Sequence, residues 1–240
     1  MAAHRRRGID TRRRLVCALA IGLAGCVVAP APLPPERVDP GATFVAHRVH
    51  GGFAVDRSGV GRGAIDAAAW RGSGPSFLVR ADGRTLAALD LTGPASVAVR
   101  SAPGAPIVAT VEPGWDDQAI RFALRMPDGS VLRTDTFQHV GGGAGASVLG
   151  RRAPTTLDLY GVYRAELRDA AGAPAGWFQV RLAPPAEPPI FEGVLPADAP
   201  LVGPAMVVAL GSEIDWIEDH AIDVHRGTSG GRFGSGSRGR

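Results

Sequence analysis

The stretch from residue 76 to 91, SFLVRADGRTLAALDL, sets the pattern for most of this chain. Two apolar runs, Ser76–Arg80 and Thr85–Leu91, flank a turn that contains Asp82 and Gly83. An Asp-Gly pair between apolar runs indicates a β-hairpin, because glycine adopts the positive φ that a tight turn requires. The sequence therefore predicts two antiparallel strands joined by a short turn.

Two further stretches, 118–137 and 157–182, have the same arrangement of apolar runs around a turn. Short strands with a turn every ten or so residues favour a sandwich or a barrel over alternating strands and helices. We expect an all-β fold, an antiparallel β-sandwich built from hairpins, with at most one or two short helices. The segments 63–70 and 212–224 are the candidates for those helices.

The first 26 residues have the composition of an export signal. Six arginines precede the apolar run Leu15–Ala24, which is shorter than the ~20 residues that span a membrane. The run leads into Leu23-Ala24-Gly25-Cys26, which resembles the lipobox of bacterial lipoproteins. The resemblance implies a signal peptide over 1–25, cleavage before Cys26, and attachment of diacylglycerol and palmitate to Cys26.

The resemblance also implies a location. Val27 and Val28 follow the cysteine, in place of the aspartate that favours inner-membrane retention in similar Gram-negative lipoproteins. We therefore expect a lipid anchor in the outer membrane, on its periplasmic face, rather than in the inner membrane. Residues 11–16, TRRRLV, resemble a twin-arginine motif, so both the twin-arginine and the general secretory route stay open.

Composition divides the rest of the chain into three parts. Residues 26–42 are rich in proline, which predicts an extended tether. Residues 43–225 carry the strand signals, and a proline-rich hinge at 183–189 either crosses between sheets or divides two subdomains. Residues 226–240 are rich in glycine, serine and arginine without an apolar pattern, which predicts a disordered basic tail.

The charge distribution excludes several classes of function. The whole chain has a formal charge of +3, but residues 26–225 carry 16 arginines against 22 acids. An acidic body argues against nucleic acid binding. All 26 basic residues are arginines, and without lysine neither a GxxxxGK[ST] phosphate loop nor Schiff-base chemistry is possible. Cys26 is the only cysteine after the signal, so no disulfide or cysteine nucleophile is expected.

The densest polar cluster is 213–225, EIDWIEDHAIDVH. Its carboxylates and imidazoles are ligand types for a metal ion. The candidate metal ligands are Asp215, Asp219, His220, Asp223 and His225. A helix would align the three aspartates at four-residue spacing, whereas a strand would turn Ile214 and Trp216 inward, and the strand fits slightly better. A solvated acidic face is the preferred interpretation, so we predict no catalytic residue, metal or cofactor.

Other polar and aromatic residues fit structural roles. His47 and His50 are three residues apart on a predicted strand and point to opposite faces, so each is expected to be packed or solvated. One predicted hairpin carries four aromatic residues, Tyr160, Tyr163, Trp177 and Phe178, of which Tyr160 and Trp177 would form a sugar or peptide platform if they met. Aromatic pairs across strands more often belong to the core, and this interpretation is preferred.

These observations favour a noncatalytic role. We expect a lipid-anchored envelope lipoprotein that binds or assembles with other envelope proteins or the cell wall, and no nucleic acid. The alternative is an envelope hydrolase or metal-dependent enzyme that uses the cluster 213–225. A third possibility, a ligand carrier with an apolar pocket, is neither supported nor excluded by the sequence.

Overall fold

In a computed structural model of the chain, the described residues are 37–57, 63–68, 76–117, 119–142, 147–151, 159–183, 187–197 and 199–229, without the side chains of 67, 68 and 221–229. This part of the chain forms thirteen strands and one helix. Their bounds are β1 Phe44–Val49, β2 Gly52–Arg57, β3 Gly63–Ala68, β4 Ser76–Ala81, β5 Arg84–Gly93, β6 Ser96–Arg100, β7 Ile107–Asp116, β8 Ala119–Arg125, β9 Val131–Thr134, β10 Gln138–Gly141, β11 Gly161–Arg168, β12 Pro174–Leu182, β13 Ile190–Val194 and α1 Val202–Ser229.

The strands form one antiparallel sheet that closes on itself. From β1 to β9 each strand pairs with the next, and β13, β12 and β11 continue the ladder on the other side of β1. β9 also pairs with β11, where Thr134 lies opposite Leu167 and Arg133 lies opposite Arg168. This contact closes a barrel of twelve strands. β10 follows β9 along the same edge of β11, with His139 opposite Tyr163.

The prediction of a mainly antiparallel β fold is confirmed, whereas the prediction of a sandwich is wrong. A sandwich needs two separate sheets that pack face to face. Here the ladder is uninterrupted, and the twist of successive strands brings the first and last strands together. β12 and β13, which flank the predicted hinge at 183–189, are direct neighbours in the ladder, with Arg181 opposite Ile190.

The three predicted hairpins are present as β4–β5, β8–β9 and β11–β12. In the first, Asp82 and Gly83 both have positive φ, 49° and 75°, as the Asp-Gly signal requires. In the second, Met126 N–H donates to Ser130 O at 2.8 Å, and Gly129 has φ of 84°. The local turn chemistry therefore placed these strand pairs correctly.

The helix α1 lies inside the barrel. Its first ten residues, Val202 to Gly211, are all buried, and side chains from α1 and from the inward faces of the strands form a single core. Two glycines allow the close approach: a Cβ on Gly203 would lie 2.6 Å from ring atoms of Phe44, and one on Gly211 would lie 2.9 Å from Phe53 Cζ. A helix that is apolar on every side is stable only when surrounded, as it is here.

The sequence interpretation of this segment is wrong in two respects. The candidate helix 212–224 lies within α1, but the strand preferred for 213–225 is wrong, and the helix has 28 residues rather than being short. The other proposed helix, 63–70, begins with strand β3. The error has a physical cause: the run 202–211, VGPAMVVALG, is apolar throughout and so lacks the 3.6-residue period that marks a half-exposed helix.

Among the described residues, no helix has the length and apolar character needed to cross a membrane.

The described end of the predicted tether packs on the outer wall of the barrel. Arg37 forms an ion pair with Glu187 at 3.0 Å, and Asp39 N–H donates to Glu192 Oε1 at 3.0 Å. Glu192 points outward from β13 yet is fully buried, and Gln179 Nε2 also donates to its carboxylate. Residues 37–42 therefore belong to the folded body, and residues 26–36 lie outside the described part of the chain.

Candidate functional site

The two ends of the barrel differ. We call the end where α1 begins the helix-start end; there Phe44 packs against Gly203. We call the opposite end the helix-exit end. There the exposed residues of α1 begin at Asp215, beside Arg48 and Trp115. The helix-exit end holds the charged, aromatic and half-open features described next, and it is the candidate site.

One side of the helix-exit end is a stack of aromatic and cationic side chains. The guanidinium carbon of Arg151 lies 4.3 Å from the ring centroid of Trp115 and 4.2 Å from that of Trp216. The ring of His220 stacks on Trp216 with centroids 3.8 Å apart, and its Nδ1 lies 2.8 Å from the Trp216 carbonyl oxygen. Cation–π contacts of one guanidinium with both indole rings link the barrel wall to α1.

Beneath this stack lies a buried carboxylate. Glu213 is fully buried, and Arg151 Nε donates to its Oε1 at 3.3 Å. Its Oε2 has no hydrogen-bond partner in the described structure. Burial raises the pKa of Glu213, and the hydrogen bond and charge of Arg151 oppose this shift without cancelling it. The site therefore contains a carboxylic acid whose ionisation is disfavoured by burial.

The other side of the helix-exit end is an open crevice of about 460 Å³ between α1 and the barrel wall. At its mouth, Arg48 forms two hydrogen bonds with Asp215, of 2.5 and 2.9 Å. The Arg48 guanidinium also lies 5.7 Å from the Phe53 ring centroid. The apolar walls are formed by Phe53, Phe77, Leu91, Val208 and Gly211. Apolar walls with a few polar groups at the mouth are typical of a binding pocket.

The predicted metal ligands do not gather around one point in the part of the chain that is described. Asp215 pairs with Arg48, His220 stacks on Trp216, and Asp219 is exposed on α1. No group of three His, Cys, Asp or Glu side chains suited to a metal ion occurs among the described residues. Asp223 and His225 lie on α1, but their side chains are outside the described part, so a metal site that includes them stays a prediction. Cys26 also lies outside it.

The predicted histidines have separate surroundings. His47 points outward and is buried, with Nδ1 at 2.7 Å from Asp56 Oδ2, while His50 is exposed in the turn after β1. His139 lies edge-on to Tyr163 with ring centroids 5.5 Å apart. Both His47 and His50 therefore have the structural environments that were expected.

The proposed aromatic platform does not form. Tyr160 precedes the start of β11, whereas Trp177 lies opposite Glu166 near the other end of that strand. Instead, the guanidinium of Arg164 lies over the Trp177 ring, 4.2 Å from the ring centroid. Tyr163 and Phe178 are fully buried in the core, in agreement with the preferred interpretation.

Sequence analysis missed Arg48, Trp115 and Arg151 as members of the site. Arg48 bonds Asp215 across 167 positions of the chain, and Arg151 bonds Glu213 across 62. Trp115 joins the site through its contact with Arg151. No local motif links such distant residues. The acid-rich segment 213–225 did indicate that arginine partners would lie nearby in the fold, because buried acids need cationic partners.

Comparison with family models, with curated proteins and with solved structures found no match for this chain.

Proposed function

We propose that this protein is a lipid-anchored, noncatalytic binding module of the bacterial cell envelope. Acylation at Cys26 holds it in the outer membrane on the periplasmic side, and the barrel contacts another envelope protein or the cell wall. The support for the anchor is the arginine-rich, short apolar segment ending in Leu23-Ala24-Gly25-Cys26. Two or more acyl chains on one cysteine suffice for stable attachment.

One observation carries the binding role: the crevice at the helix-exit end. α1 fills the barrel interior along Val202 to Gly211, and the crevice is where the wall and the helix separate. Its apolar walls accept an apolar side chain from a partner. The Arg48–Asp215 pair at its mouth offers hydrogen bonds that fix the orientation of that partner.

The aromatic stack beside the crevice supports the same role. Arginine and tryptophan are enriched at the centres of protein interfaces, where their large flat groups contribute most of the binding energy. Arg151 and Trp216 are already held in place by each other and by Trp115, so little side-chain entropy is lost on binding. We therefore assign the partner contact to the helix-exit end.

Two leucines of β5 provide a matched test. Leu91 lines the crevice, whereas Leu86 is exposed on the outer wall of the same strand. A photo-crosslinking amino acid is placed at each position in turn, in the full chain within its native envelope. We expect a discrete, stoichiometric crosslinked protein from position 91 and not from position 86. Identical crosslinking from both positions, or none from position 91, contradicts the proposal.

A further inference from the structure

A second site lies on the outer wall, away from the helix-exit end. It is an open groove of about 670 Å³ over strands β7, β8 and β9, bounded by the β11–β12 turn. Its floor contains the small residues Gly114 and Ala123, and the turn contributes Ala171 and Gly172. Small residues on the floor leave a depression, and the long side chains around it include three arginines.

The register of the strands places three arginines around this groove. Arg133 on β9 lies directly opposite Arg168 on β11, and Arg121 lies diagonal to Arg133, because Ala123 is the residue opposite Arg133 on β8. Like charges directly opposite each other on neighbouring strands are destabilising. Asp135 neutralises Arg168, with Oδ2 at 3.0 Å from its Nε. Among the described residues, no carboxylate forms an ion pair with Arg121 or Arg133.

The acids that line the groove have other partners. Glu112 pairs with Arg125 at 3.7 Å. Asp169 Oδ1 accepts hydrogen bonds from the backbone N–H groups of Ala171 and Ala173, at 2.9 and 2.8 Å. Although three arginines and three acids line the groove, each acid is engaged, and two guanidinium groups are left for a ligand.

We propose that the groove binds an oxyanion of the phosphate class between Arg121 and Arg133. Guanidinium groups bind phosphate through paired, charge-assisted hydrogen bonds. Diagonal neighbours on adjacent strands are about 7–8 Å apart, so the two long side chains reach one tetrahedral anion when Arg121, which lies over Gly114 on β7, turns toward Arg133. The groove is larger than a phosphate ion, so the phosphate belongs to a larger molecule, either a soluble phosphate ester or a phospholipid headgroup.

The position of Arg121 gives a test that does not change charge. A Cβ on Gly114 would lie 3.2 Å from Arg121 Nε and 3.3 Å from its Cγ, so the arginine lies directly over this glycine. The substitution Gly114→Val would fill part of the groove and displace Arg121 from its position over β7, while every charge stays in place. It therefore separates a built site from general attraction of anions to arginine.

The experiment measures binding of inorganic phosphate by the full chain carrying Cys26→Ser, at constant ionic strength. The variants are Arg121→Gln with Arg133→Gln, Gly114→Val, and the control Arg84→Gln, which removes an exposed arginine from the β4–β5 hairpin. We expect at least tenfold weaker binding in the double variant, several-fold weaker binding in Gly114→Val, and no change in the control. All three variants alter exposed or half-exposed positions, and circular dichroism confirms that each is folded.

A second arm distinguishes the source of the phosphate. Co-sedimentation is measured with vesicles of phosphatidylglycerol and phosphatidylcholine, and with vesicles of phosphatidylcholine alone. Binding to the anionic vesicles that is lost in the double variant, combined with weak binding of free phosphate, identifies a lipid headgroup as the ligand. Equal binding by wild type, double variant and control in both arms overturns the proposal, as does an absence of binding in both.

Discussion

Gly203→Ala tests the central feature of the fold, the helix inside the barrel. A Cβ at this position would lie 2.6 Å from both Cδ2 and Cε2 of Phe44 and 2.8 Å from Leu195 Cδ1. Ordinary carbon contacts are about 3.5–4.0 Å, so three atoms must move. Phe44 is buried and packs on Phe178 with ring centroids 6.1 Å apart, which limits its movement.

The expected magnitude is a balance of two effects. Replacing glycine by alanine in an exposed helix stabilises it by about 1 kcal/mol. Overpacking a close-packed core costs about 1–3 kcal/mol, and three close contacts with restrained side chains place Gly203→Ala in the upper part of that range. The net result is a loss of about 1–2 kcal/mol. In a domain of this size this corresponds to a fall in Tm of roughly 2–8 °C.

The assay is urea and thermal unfolding followed by circular dichroism, with Gly93→Ala as the matched control. A Cβ on Gly93 would meet only Ser96, at 3.8 Å, which is ordinary contact. The control is therefore expected to change stability by less than about 0.5 kcal/mol. If Gly203→Ala is as stable as the wild type or more stable, the helix is not enclosed by the barrel wall and the assigned core is incorrect.

Two further predictions concern the buried acid and the anchor. Because burial raises the pKa of Glu213 above its ordinary value of 4.5, the folded state binds its proton more tightly than the unfolded state. Its stabilising contribution is complete below pH 4.5 and is lost as the pH rises through the raised pKa. The free energy of unfolding of wild type minus that of Glu213→Gln should therefore fall from pH 4.5 to pH 8 in urea titrations, and a constant difference would refute the assignment. Separately, Cys26→Ser should move the protein from the membrane to the soluble envelope fraction and abolish the acyl mass in mass spectrometry. Membrane retention of this variant at the wild-type level would show that Cys26 does not carry the anchor.

The hairpins were predictable because their signals are local. Asp82-Gly83 and the segment 126–130 each contain residues whose backbone preferences define a turn. The apolar runs on either side then pair as antiparallel strands. Nothing in those signals states how many hairpins share one sheet, and for that reason a sandwich and a barrel could not be separated in advance.

The helix was harder to predict because a fully buried helix lacks the 3.6-residue alternation of apolar and polar residues. A half-exposed helix alternates apolar and polar faces, but Val202 to Gly211 is buried on every side and is apolar throughout. The polar continuation from Glu213 shows acids at helical spacing, but its sequence fitted a strand slightly better. The cationic partners of these acids on α1 are Arg48 and Arg151, which are distant from them along the chain.

The sequence by itself determined the antiparallel strand pairs, the acidic body and the lysine-free chemistry, because turn preferences and side-chain charge are properties of short segments. Only the tertiary structure decided that the sheet closes through β9 and β11, that α1 lies within it, and that Arg48 meets Asp215 and Arg151 meets Trp216. Closure depends on the twist accumulated over twelve strands. The buried carboxylate of Glu213 depends on the arginine that the closed barrel wall places beside it. Barrel closure and this pairing are therefore both properties of the whole chain.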